Sequence, residues 1–365
     1  MNAILKDVLA PAIAYAEDGF PLSPVIAKFW KRAAVKYEAA KDSLPELAEW
    51  FKVFMPGGKV PELGEVWSSP EHAATLREIA ETKTESFYRG KLAQKIAQAS
   101  KEAGGFLTEE DLAAYQPEWV DPIQAHYHGY DVWEIPPNGQ GIVALEALEM
   151  LDAFEFPSKG KVDMYHQQIE AIKLAFADAR KYVTEETHMP FPSANLLDPE
   201  YLEERRKLIT DEAQTPEAGK PFGSGTVYLA TADGDGNMVS LIQSNYMGFG
   251  SGVVVPGTGI AMQNRGHDFA LEEGHVNALA GGKKTYHTII PGFLTKDGQP
   301  VGPFGVMGGP MQPQAHVQIV SNTVDFQLNP QAALDAPRWQ WMKDKTVTVE
   351  STFPHYLAVK GNLKL

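Results

Sequence analysis

The sequence contains no cysteine among its 365 residues. That excludes disulfides, thiolate metal sites and cysteine nucleophiles together, and leaves the redox compartment open. Long apolar runs are missing as well: no stretch reaches the roughly 18 to 20 residues that a membrane span requires. The opening MNAILKDVLAPAIAYAEDGF spreads Lys6, Asp7, Glu17 and Asp18 through what a signal peptide would keep apolar. The expectation is a soluble chain, cytoplasmic if Met1 is the native start. Basic residues are in deficit, 32 Lys and Arg against 47 Asp and Glu, giving a net charge of -15. Such a field repels phosphate backbones and argues against a nucleic-acid partner.

Familiar catalytic signatures are also absent. Nothing matches GxSxG or GxxxxGK[ST], and GTGIAMQNRG is too loose for a dinucleotide fingerprint. Asp233-Gly-Asp235-Gly-Asn237 begins like a calcium loop, but the sixth position is Met238 and the twelfth is Ser244, where Gly and a bidentate Glu belong. A hairpin turn is the better reading. His126-x-His128 has no acidic or cysteine partner at zinc spacing and reads as a surface or core pair. No metal and no organic cofactor is implied.

What is present divides by character. With 44% hydrophobic and 22% charged residues and no low-complexity tract or fixed-period repeat, the chain is globular. Residues 1 to 113 read as mostly helical, with Gly104-Gly105 as a stop and Thr108-Glu-Glu-Asp111 as a short-acid capping box. Two strands flank Gly129 in QAHYHGYDVWEIPP, Asn138-Gly-Gln-Gly opens a helix through IVALEALEMLDAF, and residues 165 to 182 carry apolar side chains at helical intervals. From 226 onward strands prevail. TVYLATA and NMVSLIQS form a hairpin around DGDGN, and GVVVPGTGIAMQ, HTIIPGFLT and PVGPFGVM are further strand candidates. Helices follow in QPQAHVQIVSNTV and NPQAALDAP. This order predicts an α+β fold with helices packed on sheets.

Several stretches, in order, resemble the γ-glutamyltranspeptidase family of N-terminal-nucleophile hydrolases. In the second half these are GTVYLATADGDGN, FGSGVVVPGTGI with NRGHDF, GVMGGPMQP and NPQAALDAPRW. In the first they are YRGKLAQKI, GGFLTEEDLAAYQPEW, PPNGQG and IEAIKLAFADARKY. The resemblance implies a four-layer αββα sandwich with an accessory helical region, made as a precursor that cuts itself before a Thr. The cut would fall between Gly225 and Thr226, leaving a large-subunit-like part (1-225) and a small-subunit-like part (226-365). By spacing alone Thr226 is an ordinary strand-opening residue, since its β-branch suits strands. As a new N-terminus it would be a nucleophile whose own α-amine, with a reference pKa of about 7.7 to 8, serves as base. Gly308-Gly309 is a strand-to-helix turn that presents adjacent N-H groups, and the resemblance makes it the oxyanion stabiliser.

The resemblance extends to the substrate pocket. Asp268 matches the acid that holds the α-amino group of a γ-glutamyl donor. Arg265 replaces a usual glutamine, and the two either grip a zwitterionic end together or pair with each other. Ser244 takes the place of a hydroxyl that bonds the nucleophile, or is a plain strand-edge serine. Tyr246 stands where Asn is common, and His287-Thr288 where two serines usually contact the donor carboxylate. These changes resemble the acylase-like branch. The segment between Asp268 and Lys283 is short, which implies an open pocket. Relatives also carry a substantial region before the part matching residue 1, with sheet strands and a donor-binding arginine, and they extend past VTVESTFPHYLAVKGNLKL. The chain is therefore expected to be a fragment or to need a partner chain, and exposed strand edges invite association, including a homo-oligomer.

Three functions follow as expectations. The first is a self-cleaving γ-glutamyl transferase or hydrolase, acting on amides such as glutathione with an amine or water as acceptor. The second is a glutaryl or cephalosporin-type acylase of the same fold. The third is a non-catalytic relative acting as a binding or assembly module.

Overall fold

The computed structural model describes residues 4–215, 225–354 and 357. They fall into two compact units, one formed by the residues up to 119 together with 247–264, the other by 120–246 and the residues from 265 onward.

The first unit contains α1 (Leu5–Asp18), β1 (Phe20–Pro21), α2 (Pro24–Ala40), α3 (Ala48–Phe54), β2 (Val66–Trp67), α4 (Pro70–Thr82), α5 (Glu85–Arg89), α6 (Lys91–Glu102) and α7 (Glu109–Ala114). Its helices start where side chains satisfy the first free N-H groups. Ser23 and Ser69 accept from the backbone of Ile26 and His72, each followed by a proline at a position that needs no N-H donor. The expected capping box is formed: Thr108 Oγ1 accepts from Asp111 N at 3.2 Å, and Asp111 Oδ2 accepts from Thr108 N at 2.9 Å. The core is aromatic, built on Trp30, Tyr37, Trp50 and Phe54, and residue Phe249 brings its ring to 5.3 Å from Trp30 and 5.2 Å from Trp50.

The stretch 252–263 departs from expectation. In place of a strand it forms a loop with a single bridge, Val254 to Ala261. Glycines explain this. Positive φ at Gly250, Gly252, Gly257 and Gly259 turns the chain repeatedly, and a Cβ on Gly252 would lie 2.5 Å from Leu47 Cδ2. Apolar composition alone suggested extension there; backbone conformation decided otherwise.

The second unit carries β3 (Ile123–Tyr127), β4 (Tyr130–Glu134), α8 (Gly141–Leu151), α9 (Val162–Tyr182), α10 (Pro199–Arg206), β5 (Gly225–Ala232) and β6 (Met238–Tyr246). It continues with β7 (Gly292–Lys296), β8 (Gln299–Phe304), α11 (Met311–Val324), α12 (Pro330–Asp335), β9 (Trp339–Lys343) and β10 (Thr346–Val349). An antiparallel sheet has the order β3-β4-β7-β8, and a separate hairpin pairs β5 with β6. HTIIPGFLT is strand only from Gly292 onward. Helix α8 is apolar apart from Glu146 and Glu149 and is buried along nearly its whole length against β3, β4, α9 and α11. Each fully buried Leu or Ile there contributes about 1.5 to 3 kcal/mol.

Hairpin β5–β6 packs on the β7–β8 side: Ser240 Oγ donates to Gly292 O at 2.9 Å, and a Cβ on Gly305 would meet the Tyr228 ring at 2.5 Å. DGDGN is its turn, with Asp233 Oδ1 accepting from the backbone N of Asp235 and Asn237, both at 3.0 Å. Helices, sheet and hairpin thus make the layered α+β arrangement that the sequence predicted. Strands β9 and β10 were not anticipated. Gln314 and Gln318 of α11 hold them, their Oε1 atoms accepting from Trp341 N at 2.7 Å and Trp339 N at 3.1 Å.

Candidate active site

All of the candidate residues lie in the second unit. Strand pairing sets the first contacts, because β5 and β6 run antiparallel with Thr226 opposite Ser244, and a register shift falls between Gly225 and Thr226. In this single uncut chain Thr226 is buried and its hydroxyl donates to Ser244 Oγ at 3.0 Å. Ser244 Oγ also accepts from Tyr246 N at 2.8 Å, which fixes the hydroxyl between the two strands. Residues 223 and 224, the Gly-Ser before Gly225, lie outside the described residues.

Tyr246 turns the chain out of β6 with φ 75°, a left-handed conformation that Asn adopts more readily than a bulky ring. Its side chain carries the network onward. The hydroxyl donates to Asp268 Oδ1 at 2.6 Å, and the ring lies under the Arg265 guanidinium, 4.1 Å from its centroid. Arg265 Nη1 donates to Thr288 Oγ1 at 2.7 Å and, less closely, to Asp268 Oδ2 at 3.3 Å. The pairing of Arg265 with Asp268, left open by the sequence, is therefore made. Burial pushes the Asp268 carboxyl above its ordinary value, opposed by the Tyr246 hydroxyl and the Arg265 charge. Burial also lowers the Arg265 guanidinium.

Gln140 joins this wall to the glycine turn. Its Nε2 donates to both Thr288 O and Gly309 O at 2.8 Å, and its Oε1 accepts from Tyr286 Oη at 3.2 Å. Gly308 and Gly309 have φ of 139° and 57° and run directly into α11, so their N-H groups sit at the positive end of a helix. His287 contributes mainly backbone: its carbonyl accepts from Gln140 N at 2.9 Å. Its imidazole Nδ1 accepts from Ile289 N at 3.2 Å, and burial followed by the Arg265 charge holds its pKa down to about 3. The ring is neutral at ordinary pH.

Beside this network is a cavity of about 1030 Å³. Tyr246, Asp268, Tyr286, Thr288 and Gln140 line one wall, and α9 from Phe176 to Tyr182 with Tyr201 and Arg205 of α10 lines another; Thr226 does not itself line it. Sequence reasoning missed Gln140, Tyr286 and Arg180. Gln140 lay inside the quoted PPNGQG, but its partners stand 148 and 169 residues away, beyond any local pattern. Arg180 reads as an ordinary basic residue in the last turn of a helix.

The site can be set beside known proteins. A family model described as gamma-glutamyltranspeptidase matches residues 2–360. The glutathione hydrolase-like YwrD proenzyme of Bacillus subtilis (strain 168) is 38% identical over 339 residues, covering 92% of this chain and 63% of that protein. The oxamate amidohydrolase proenzyme of Klebsiella pneumoniae is 33% identical over 335 residues, covering 91% of this chain and 62% of that protein. Among solved structures, a cephalosporin acylase from Bacillus halodurans matches with a TM-score of 0.94 at 61% identity, over 99% of this chain and 66% of that one. The chain thus spans just under two thirds of the length of these relatives. With a family match across nearly its whole length and a fold shared with that acylase, this chain belongs to the gamma-glutamyltranspeptidase family and has its α+β N-terminal-nucleophile architecture.

Proposed function

We propose that this chain is the catalytic part of a self-cleaving amide hydrolase or transferase in which Thr226 becomes an N-terminal nucleophile. The Thr226 hydroxyl attacks the Gly225 carbonyl, the acyl group passes from nitrogen to oxygen, and water hydrolyses the ester. Two parts result, residues 1 to 225 and 226 to 365. The freed α-amine then takes the hydroxyl proton as Thr226 attacks an amide carbonyl. The N-H groups of Gly308 and Gly309 receive the oxyanion, the leaving amine takes the proton, and the acyl-enzyme passes to water or to an amine. The observation that carries this reading is the unbroken hydrogen-bonded path from Thr226 through Ser244, Tyr246, Asp268, Arg265, Thr288 and Gln140 to Gly309. His287, its pKa held down to about 3 by burial and its Nδ1 already accepting from Ile289 N, is too weak a base to rival the α-amine.

The donor is a γ-glutamyl or similar acyl amide. One relative is named for glutathione, whose γ-glutamyl end carries a carboxylate, and another for oxamate, itself a carboxylate-bearing amide. A glutaryl-type donor is the second reading, and Asp268 favours it. Both of its oxygens already accept hydrogen bonds, from Tyr246 and Arg265, so little capacity is left for a substrate ammonium. Mass analysis of the purified protein tests the common chemistry: wild type resolves into two pieces and Thr226→Ala stays whole. A wild-type chain that remains single after long incubation would favour the non-catalytic reading. Asp268→Ala then separates the donors, because it should harm γ-glutamyl anilide turnover far more than glutaryl anilide turnover if the acid holds an ammonium.

A further inference from the structure

Behind the glycine turn the chain buries a group of polar side chains that the proposed chemistry does not use. Glu134 closes β4, and its Oε1 accepts from His316 Nδ1 of α11 at 2.6 Å. Both side chains are fully buried. One turn earlier on α11 is Gln312, buried as completely. Four atoms of these three residues, Glu134 Oε2, His316 Nε2 and both amide atoms of Gln312, have no hydrogen-bond partner among the described residues. Interiors seldom keep such groups unpaired, because each has given up its bonds to water.

The elements that meet at the turn enclose this group. The Phe304 ring of β8 lies 4.8 Å from the His316 ring. A Cβ on Gly141, the first residue of α8, would come within 2.6 Å of Glu134 Cβ and 3.2 Å of its Oε2, so only glycine admits the carboxylate there. Gly141 follows Gln140, whose Nε2 binds Gly309 O. Gln312 and His316 are four residues apart and share one face of α11. Helical side chains lean toward the N-terminus, so the His316 ring reaches back toward the Gln312 amide. At that N-terminus is the glycine turn itself: Met311 N donates to Gly308 O at 3.1 Å and Gln312 N to Gly309 O at 3.0 Å.

From this arrangement we propose that Glu134, His316 and Gln312 hold an internal water and with it brace the first two turns of α11 against β4. They are thereby positioning residues for the Gly308 and Gly309 N-H groups. Water is the guest whose size and chemistry match, since it donates and accepts while the carboxylate, the imidazole and the amide offer both kinds of partner. The brace acts through the rigidity of the helix: the turn is bonded to the first residues of α11, so a shift of α11 carries the turn with it. An oxyanion needs its donors at about 2.7 to 3.1 Å, and a displacement of about 1 Å forfeits most of their effect. This deepens the proposed function and rests on it for the oxyanion role of the turn, but not for the water or the brace.

Crystal structures and kinetics of this chain test the proposal together. Wild type is expected to show an ordered water within hydrogen-bonding distance of at least two of the three side chains. Glu134→Met, which removes the 2.6 Å bond and one partner of the water, should displace Gly308 and Gly309 by about 0.5 to 1 Å. With rates referred to the cleaved protein by intact mass, anilide kcat should fall about 10- to 100-fold in Glu134→Met and by less in Gln312→Met, with KM little altered. Glu134→Gln keeps an acceptor for His316 Nδ1 and should recover most of that loss. Residues that only stabilised the fold would lower the urea midpoint and leave kcat of the folded enzyme alone. A wild-type crystal without the water, or a folded Glu134→Met with wild-type kcat, overturns the proposal; if Glu134→Met does not fold, Gln312→Met with unaltered kcat does so. If wild type turns over no anilide, the Thr226 reading fails and the crystals decide the brace alone: the water with a displaced turn in the variant supports it, and either one missing overturns it.

Discussion

The two walls of the cavity solve the same problem, charge out of water, in opposite ways. On the strand and loop wall, Tyr246, Asp268, Thr288 and Gln140 are linked through Arg265 in a chain of hydrogen bonds that runs on to Ser244 behind it. Packed against the helices of the other wall, Glu146 of α8 is fully buried beside the Asp178 carboxyl. Burial first, and then the neighbouring Asp178 charge, raise its pKa well above the usual carboxyl range. A connected network fixes geometry, which a reaction needs.

If the network behind the first wall is built for chemistry, damage at the ends of that network should be largest. Thr226→Ala is expected to lower turnover at least about 10³-fold and to abolish self-cleavage, measured with anilide substrates and by intact mass. Gly308→Val comes next. The φ of 139° and a Cβ position only 3.0 Å from Met311 Cβ would displace the turn, and kcat should fall about 10² to 10³-fold, the effect of losing one oxyanion donor, with KM little altered. Within the network, Tyr246→Phe strips the 2.6 Å bond from a buried carboxylate and should cost roughly 1 to 3 kcal/mol in urea unfolding.

The other wall should respond differently to neutralisation. Glu146 has a folded pKa above its unfolded value of 4.5, so its contribution to stability is fullest below about pH 4.5 and is lost as pH rises toward the folded pKa. Glu146→Gln removes that loss. The urea midpoint above pH 4.5 is expected to equal or exceed wild type, with a shallower decline as pH rises from that value. A variant destabilised by as much as Tyr246→Phe would erase the contrast between the walls.

Local chemistry was legible in the sequence. The Thr108–Asp111 capping box, the DGDGN turn and the largely apolar α8 each depend on residues within one element or one hairpin, so spacing reveals them. The ordered family motifs pointed to Thr226, Asp268 and the glycine turn, and strand pairing brings Thr226 opposite Ser244. What was not legible depends on distant partners or on backbone dihedrals. Strands β9 and β10 are held by Gln314 and Gln318, 27 and 21 residues away from the tryptophans they bind. The 252–263 stretch has strand-like composition, but its glycines take φ values that no extended strand permits. Arg180 acquires meaning only when the helix that carries it faces a cavity.

The central claim is that the chain breaks ahead of Thr226 and that the new amine drives the chemistry. N-terminal sequencing of the shorter fragment from purified wild-type protein tests this most directly. The reading Thr-Val-Tyr-Leu, beginning at residue 226, is predicted. A fragment with any other first residue, alongside full amidase activity, would contradict the account.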